Sequence, residues 1–464
     1  MVLSTTDFPG NIGVLDPDML LKFNPSLRQA DQILVAYSGG VDSSVLLFLL
    51  ASLRASGKLA AQLRALHINH GIHQASRDWA SHCADFCSQL DIPFEAVRVT
   101  VSPKPGESLE MAARNARYRI FEQKLGPEWL LLQGHHQGDQ AETVLYRLMR
   151  GSGPAGLGSI PQQRPLGGGR LLRPLLPFSR ESIMACARTN SLSWIEDPSN
   201  TDEAHDRNFL RSRVLPLLES RWPHAGAAIS RVASFCREAD KLLGNLAKID
   251  LQTVQAQPGN RLKIDELTRL DEARQRNLLR YWLAHWSLAL GGPRVSHTLI
   301  SGIQQDIIPA AEDAEPFLQW AGDNSTLFVR RYRQQLYVLP PLPRSEAGVW
   351  DTCDSLALPY PLGTLTLSPT EGPGLPMDRL SQIEVRFRSG GETIKPCGRP
   401  TRTVKNLLQE NGVPPWLRPH VPLLFCNGEL VAVGDLAVSE NWWCEAGDNN
   451  GRLEWKRADL DCGY

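Results

Sequence analysis

The fold of the first third of the chain is decided by Gln32-Ile33-Leu34-Val35-Ala36-Tyr37-Ser38-Gly39-Gly40-Val41-Asp42-Ser43-Ser44. The apolar run at its start is typical of a strand buried on both faces of a parallel sheet. The apolar residues Val45–Leu50, after the glycines, are numerous enough for a helix. A strand, a glycine turn and a helix N-terminus together predict an anion site. Glycines let the backbone approach a phosphate, and the first N–H groups of the helix point at it.

The polar residues of this stretch refine the prediction. Ser38 and Ser43 add hydroxyl donors, whereas Asp42 would repel phosphate unless it holds a cation that the phosphates share. The alternative is an ordinary turn between a strand and a helix, with Ser43 as the N-cap. The full run from Ser38 to Ser43, placed between a strand and a helix, favours the phosphate site. A Walker-type loop is not indicated, because it requires Ser or Thr after its Gly-Lys pair, and here Leu59 follows Gly57-Lys58.

Ser38-Gly39-Gly40-Val41-Asp42-Ser43 resembles the signature loop of the PP-loop ATP pyrophosphatases. The resemblance implies an enzyme that splits ATP into AMP and pyrophosphate. It also implies that these six residues bind ATP.

The composition is that of a globular protein. A chain of 464 residues predicts about three domains at ~150 residues each. No basic residue precedes Lys22, so a signal peptide is not expected, and no apolar run approaches the ~20 residues that cross a bilayer. Nine cysteines without a C-x-x-C pair predict free thiols and a cytoplasmic location. The net charge of −1 neither requires nor excludes a nucleic-acid partner.

The fold class follows from alternating patterns between residues 30 and 190. Strands are predicted at 32–37, 63–68, 94–101 and 129–133, and helices at 43–55, 76–90, 107–125, 139–150 and 179–191. This alternation predicts an α/β fold with a doubly wound parallel sheet, whose ligands bind at the carboxyl ends of the strands. The predicted domains are this one at 1–217, a mainly helical one at 218–345 and a small α/β domain at 346–464.

Two further segments carry candidate catalytic residues. On the helix that begins near Glu107, Arg114 and Arg117 share a face with Glu110. Either this is a solvated, salt-bridged face, or the two arginines hold phosphates in bidentate fashion, with Arg114 expected to bind ATP. In Gly134–Thr143, Asp139 is predicted to begin a helix, with Glu142 one turn further.

Asp139 and Glu142 have a functional and a structural interpretation. Beside Asp42 they form a catalytic set in which Asp42 and Asp139 hold Mg²⁺ and Glu142 supports them. The alternative is helix capping with Asp139 as the N-cap, and both interpretations can hold together. The segment 151–170 is rich in glycine and proline and is predicted to form a mobile cover over the site.

Basic residues predict contacts with RNA in two regions. Arg207 and Arg211 are spaced to lie on one side of a helix and to hold a phosphate backbone. Between 384 and 420, seven Lys or Arg residues stand against three acids. The predicted phosphate ligands there are Arg386, Arg388, Lys395, Arg399, Arg402 and Lys405. The alternative is a solvated face that keeps a small domain soluble.

Gly134–Thr143, Arg150–Gly153 and Trp194–Asn200 closely resemble the signatures of the tRNA(Ile)-lysidine synthetase family. Arg207–Arg211 and residues 380–440 extend the resemblance. That family usually carries two adjacent acids before the glutamine, and this chain has Gly138 in the first of the two positions. The departure leaves Asp139 as the expected catalytic acid.

The resemblance implies ATP, Mg²⁺, free L-lysine and the tRNA(Ile) that carries a CAU anticodon. The C2 oxygen of the wobble cytidine is adenylated, the lysine amine attacks C2, and AMP leaves. Lysidine results, and codon reading changes from AUG to AUA. No obligate protein partner is expected. The base that deprotonates lysine, the lysine pocket and the way tRNA(Met) is rejected stay open.

Three alternatives share parts of these motifs. A PP-loop tRNA thiolase generally needs a reactive cysteine pair, and Cys83 and Cys87 stand without a partner motif. A glutamine-dependent amidotransferase needs a glutaminase domain, for which the chain has no motif. A non-catalytic RNA-binding protein would have no need for Asp42, Asp139 and Glu142.

Overall fold

A computed structural model describes residues 15–71, 76–103, 106–196, 206–256, 259–311, 314–322, 325–343, 347–350, 355–380, 382–445 and 449–456. The chain divides into two compact units, Met1–Leu242 and Leu243–Tyr464. The second unit contains two separate hydrophobic cores. The domain boundaries at 217 and 345 stay predictions. Within the described ranges, no helix has the length and apolar content needed to cross a membrane.

The first unit is built on one six-stranded sheet. Its strands are β1 Gln32–Ala36, β2 Gln62–Asn69, β3 Phe94–Arg98, β4 Leu130–Leu132, β5 Gln163–Leu166 and β6 Gly169–Leu172. They are ordered β3-β2-β1-β4-β6-β5, and all neighbours are parallel except the β5–β6 pair. The predicted α/β fold with a parallel sheet is therefore confirmed.

Helices cover both faces of this sheet. The helices of the unit are α1 Pro17–Phe23, α2 Val41–Ala55, α3 Ser76–Gln89, α4 Leu109–Lys124, α5 Gln137–Met149, α6 Pro154–Leu157, α7 Arg180–Thr189, α8 Asp206–Phe209 and α9 Leu215–Arg221, followed by α10 Ala225–Val254, in which the division between the units falls. The side chains of β1 alternate between two cores. Ile33 and Val35 pack in the core that holds α2, and Leu34 packs in the core that holds Phe121 of α4. This two-sided burial is the doubly wound arrangement that the apolar run predicted.

The predicted mobile cover at 151–170 is wrong. Part of this segment forms α6 and the hairpin of β5 and β6, which extends the sheet. Leu166 pairs with Gly169, so Gly167 and Gly168 form a two-residue turn, and Gly167 has the positive φ of +54° that such a turn favours. The glycines therefore serve a tight turn within the sheet.

The second unit begins with helices and an antiparallel sheet. Its first elements after α10 are β7 Gln255–Ala256, β8 Arg261–Lys263, α11 Ile264–Thr268, α12 Glu272–Ala289, α13 His297–Gly302, β9 Phe317–Ala321, β10 Thr326–Tyr332 and β11 Gln335–Leu339. The strands are ordered β7-β8-β11-β10-β9. Trp282 and Trp286 of α12 are fully buried, so the apolar stripe of this helix is core.

The remainder of the second unit is rich in short strands. They are β12 Gly348–Trp350, β13 Leu356–Ala357, β14 Thr364–Thr370, β15 Leu375–Pro376, β16 Ile383–Phe387, β17 Thr393–Ile394, β18 Arg402–Thr403, β19 Pro422–Cys426, β20 Glu429–Val433, β21 Ala437–Val438 and β22 Asn450–Lys456, with the helix α14 Val404–Glu410 between β18 and β19. Leu407 and Leu408 of α14 are buried in the core of these strands. The predicted small α/β domain is confirmed, and most of its regular structure is β.

Candidate active site

The glycine loop joins β1 to α2 as predicted. Gly40 occupies the N-cap position of α2, so the capping role that the sequence alternative gave to Ser43 is wrong. The Ser43 hydroxyl instead donates to the Gly40 carbonyl at 3.0 Å and lies 3.1 Å from the Ser38 hydroxyl. Because Gly40 has no side chain to cap this helix, the first N–H groups of α2 face the loop without a side-chain acceptor at the cap.

Gly39 fits its position only as glycine. Its φ is +85°, and a Cβ atom there would lie 2.6 Å from Cδ1 of Ile195. The Ile195 N–H donates to the Gly39 carbonyl at 2.9 Å, which holds the segment Trp194–Glu196 against the loop. Residues 197–200 of the same sequence signature lie outside the described residues.

The motif Gly134–Thr143, which carries Asp139 and Glu142, lies at the start of α5. The N-cap residue of this helix is not the one that the sequence predicted. His136 is the N-cap, and its Nδ1 accepts from the Gly138 N–H at 2.9 Å. Asp139 is the N3 residue, and its carboxylate accepts from the His136 N–H at 2.9 Å. The prediction of Asp139 as the N-cap is wrong. The capping box exists one turn earlier, with His136 in the place usually taken by Ser or Thr.

His136 brings the two predicted metal ligands together. Its Nε2 lies 3.9 Å from Oδ1 of Asp42 and 3.7 Å from Oδ2 of Asp139. Burial raises the pKa of the Asp42 carboxyl, and the neighbouring charge of Asp139 adds to that. Burial would also raise the pKa of Asp139, but the two neighbouring histidines and the N–H of His136 bring it below its ordinary value.

Arg211 connects Asp139 to the third acid of the site, Glu142. Its guanidinium binds the buried Glu142 at two points, with Nε–Oε1 at 2.6 Å and Nη2–Oε2 at 2.9 Å, and Nη2 also donates to Oδ1 of Asp139 at 3.2 Å. Arg211 belongs to a π-helical turn, Leu210–Val214, a type of distortion often found at functional sites. Burial raises the pKa of Glu142, and Arg211 offsets part of that rise.

The ion pair with Glu142 bears on the predicted contact between Arg211 and tRNA. Its predicted contact with tRNA phosphates stays a prediction, but the guanidinium already has two carboxylate partners in the site. Arg207, its predicted companion, is exposed. The sequence could not show the link between Arg211 and Glu142, because 69 positions separate them.

The donor set around Asp42 is suited to Mg²⁺. The Oδ1 atom of Asp42 is buried and has no hydrogen-bond partner among the described residues. In the same ranges no group of three or more His, Cys, Asp or Glu side chains is arranged around a metal position. Mg²⁺ does not need such a cage, since it is usually held by one or two carboxylates together with substrate phosphates and water. Asp42 and Asp139 meet that requirement.

On the other side of the site, Arg114 lies over an aromatic ring. Its guanidinium carbon is 4.9 Å from the ring centre of Tyr118, and the Tyr118 hydroxyl donates to Gln133 at 3.2 Å. In the described part of the chain, neither Arg114 nor Arg117 forms an ion pair with an acid, so the salt-bridged face considered for this helix is wrong. Neither Tyr118 nor Gln133 was predicted as a site residue, although Tyr118 directly follows Arg117.

The six basic residues predicted to bind RNA in the second unit fall into two groups. Arg386 pairs with Glu384 at 2.5 Å, Lys395 pairs with Glu440 at 2.5 Å, and Arg402 pairs with Glu410. Arg388, Arg399 and Lys405 form no ion pair with another described residue. Arg386 and Arg388 also line a cavity of about 470 Å³ together with His420.

Family models match three parts of the chain. The PP-loop domain matches residues 17–218, the TilS substrate binding domain matches 262–337, and the TilS substrate C-terminal domain matches 383–455. The first match contains the glycine loop, both acidic residues of α5 and Arg211. The third contains the six basic residues of the second unit.

Curated relatives match nearly the whole chain. A tRNA(Ile)-lysidine synthase of Coxiella burnetii is 41% identical and covers 92% of this chain and 94% of its own. That of Pseudomonas aeruginosa is 42% identical, with 94% and 96% covered, and that of Proteus mirabilis is 40% identical, with 88% and 91% covered. At this identity and coverage the chain belongs to the tRNA(Ile)-lysidine synthase family of ligases.

Proposed function

We propose that this protein forms lysidine at the wobble cytidine of the tRNA(Ile) with a CAU anticodon, using ATP and free L-lysine. Two bond-forming steps are involved. The C2 oxygen of cytidine attacks the α-phosphorus of ATP and releases pyrophosphate. The lysine ε-ammonium gives up one proton, and the free amine attacks C2. The bond from C2 to the activated oxygen breaks, AMP leaves, and the attached nitrogen gives up a second proton to the surroundings.

One observation carries this proposal beyond the family name. Asp42 stands in the first turn of α2, beside the N–H groups that would hold phosphate, and its buried Oδ1 has no hydrogen-bond partner among the described residues. An unpaired buried carboxylate oxygen next to an anion site is costly unless a cation lies between them. This arrangement suits a nucleotide bound with Mg²⁺.

The residues of the glycine loop and α2 would bind the leaving pyrophosphate. The N–H groups of Val41, Asp42 and Ser43 would donate to its oxygens, and the hydroxyls of Ser38 and Ser43 would add donors. Arg114 would bind a further phosphate oxygen. Mg²⁺, held by Asp42 and Asp139, would neutralise charge that develops on the phosphates when it is bound. Glu142 would hold Arg211, and Arg211 would keep Asp139 in place.

The partners follow from the proposed reaction. Arg207, Arg211 and the six basic residues of the second unit would bind tRNA. A tRNA substrate, and the free thiols that the described cysteines carry, suit the cytoplasm.

Pyrophosphate release tests the proposal. We expect release with ATP and the tRNA(Ile) transcript, and none with ATP alone or with a tRNA whose wobble base is uridine. Release that does not depend on the RNA would contradict the proposal. Product formation with sulfide or glutamine, and none with lysine, would assign the protein to the thiolases or the amidotransferases.

The ion pairs of the second unit determine which basic residues give the clearer test of tRNA binding. Replacing Arg399 and Lys405 together by alanine is expected to weaken tRNA affinity and to flatten its salt dependence. The log–log slope should fall by roughly 0.7–0.9 for each lost phosphate contact. The matched control replaces Lys395 and Arg402, whose charges are already paired with acids.

Titrations with salt would be measured for the parent and both double variants. We expect the control pair to change the slope less, because breaking a protein ion pair to bind phosphate gives a smaller net gain. If all three proteins have one slope and one affinity, the basic residues only keep the surface soluble. The affinity for ATP should stay the same in every variant.

A further inference from the structure

Four arginines gather around Tyr118 at the edge of the sheet where the active site lies. This arginine cluster consists of Arg114 and Arg117 on α4, Arg164 on β5 and Arg173 directly after β6. The guanidinium carbons of Arg114 and Arg164 lie 4.9 and 5.1 Å from the ring centre of Tyr118. Nη2 of Arg173 lies 3.5 Å from the Tyr118 hydroxyl. The cluster is thus assembled from α4 and from the β5–β6 hairpin, which are separated in sequence by β4 and α5.

The hydrogen-bond acceptors that contact Arg164 and Arg173 are neutral groups. Arg173 donates to the Pro161 carbonyl at 2.7 Å and to Nδ1 of His135 at 3.3 Å, and Arg164 donates to the Pro165 carbonyl at 3.2 Å. Across the described ranges no carboxylate forms an ion pair with any of the four, and Glu110, the acid that acts on Arg117, stays beyond ion-pair distance. Half-buried guanidiniums are usually paired with acids, so this concentration of positive charge lacks its anion.

Two buried polar atoms at the cluster also lack partners. Nε of Arg117 and Nδ1 of His70 have no hydrogen-bond partner among the residues that the structure describes. The two side chains are close enough to interact electrostatically: burial and then the charge of Arg117 lower the pKa of His70 to about 4. Buried donors and acceptors of this kind are rare in folded proteins unless a ligand satisfies them.

The cluster lies beside the acidic part of the site. The consecutive residues His135 and His136 stand between the cluster and the acids. His135 contacts Arg173, whereas His136 faces Asp42 and Asp139. α4 packs in the core on one face of the sheet, and α2, which would hold the ATP phosphates, packs in the core on the other. A ligand of the cluster would therefore reach the reacting atoms from the side opposite to α2.

Resting on the proposed function, we propose that Arg117, Arg164 and Arg173 of the arginine cluster bind the backbone phosphates of the RNA that flank the reacting cytidine, whereas Arg114 binds ATP. Arginine suits this role, because its planar guanidinium donates to two phosphate oxygens at once. A single-stranded loop offers several phosphodiesters in succession. Each of them would accept from one of these guanidiniums, because no carboxylate is paired with them. The phosphates of ATP already have the N-terminus of α2 and the cation site of Asp42 and Asp139. Positive charge on both sides of the reacting groups would hold the nucleotide and the RNA in place.

Glutamine substitutions test this assignment. Arg117→Gln and Arg164→Gln would be compared with Arg119→Gln, an exposed arginine on the same helix as Arg117. Arg114 is left unchanged, because ATP is its proposed ligand. We expect each test variant to bind the tRNA(Ile) transcript on the order of tenfold more weakly, since each loses a charged hydrogen bond to phosphate. The salt slope should fall by roughly 0.7 per contact, the value for single-stranded nucleic acid.

ATP affinity measured without tRNA separates the two possible sources of phosphate. We expect it to be unchanged in all three variants. Weaker ATP binding with normal tRNA binding would overturn the proposal and make the cluster a nucleotide site. Normal binding of both ligands by Arg117→Gln and Arg164→Gln would overturn it as well. Thermal melts would identify a variant that does not fold, and the half-buried Arg164 on an edge strand provides an independent test if Arg117→Gln fails.

The outcome is distinguishable from a failure of the proposed function. If the parent protein shows no tRNA-dependent release of pyrophosphate, the proposed reaction is wrong, whatever the variants bind. If the parent does release it and both test variants bind tRNA as the parent does, only the assignment of the arginine cluster is wrong.

Discussion

Replacing Asp42 by alanine is expected to lower the rate of tRNA-dependent pyrophosphate release by on the order of 10²–10³. The carboxylate stands at the N-terminus of α2, and its buried Oδ1 has no hydrogen-bond partner among the described residues, which supports its proposed role of holding a cation for the phosphates. Because Asp42 also lies close to Asp139, its removal relieves repulsion between two acids. We therefore expect the thermal midpoint of the variant to stay the same or to rise.

The control for this experiment is Asp85→Ala, which removes an exposed acid from α3. Its rate and midpoint should equal those of the parent. Turnover at the parent rate by Asp42→Ala would contradict the role of Asp42. A loss of rate that comes with a large loss of stability would indicate a structural role instead.

Replacing Arg211 by alanine is expected to destabilise the first unit. The change leaves Glu142, whose side chain is 4% exposed, and the neighbouring Asp139 without their shared cation. Breaking a buried ion pair in this way commonly costs about 3–5 kcal/mol. Because the Arg211 side chain keeps 32% of its accessible surface, we expect the lower end, about 3 kcal/mol. A midpoint lower by roughly 6–12 °C should follow for a unit of this size.

Arg207→Ala is the matched control, since it removes the same charge from an exposed position one turn earlier. Its midpoint should not change. Thermal melts at neutral pH would be compared for the parent, both single variants and Glu142→Gln. An Arg211→Ala protein as stable as the parent would show that the ion pair contributes nothing to the fold.

The sequence predicted the frame of the first unit because its signals are local. Ile33, Leu34 and Val35 are apolar on both sides, so only a strand covered on both faces can bury them. The glycines and Asp42 follow that strand directly, and this fixes the position of the loop at the carboxyl edge of the sheet. The predicted strands and helices therefore agree with the structure within a few residues.

The interactions that shape the site were not predictable in the same way. The pairing of Arg211 with Glu142 depends on packing between residues 69 positions apart, and the arginine cluster depends on the placement of α4 beside the β5–β6 hairpin. His136 was missed as the N-cap because histidine rarely has that role. The β5–β6 hairpin was missed because its short strands lie among glycines and prolines, which usually mark irregular loops.

Analysis of the wobble nucleoside tests the central claim most directly. The parent protein would be incubated with ATP, Mg²⁺, isotopically labelled L-lysine and a tRNA(Ile) transcript with a CAU anticodon, and the RNA would then be digested and analysed by mass spectrometry. We predict one modified cytidine that carries the label, formed only when both ATP and lysine are present. An unmodified wobble cytidine under these conditions, or a modified nucleoside without the lysine label, would contradict the proposed function.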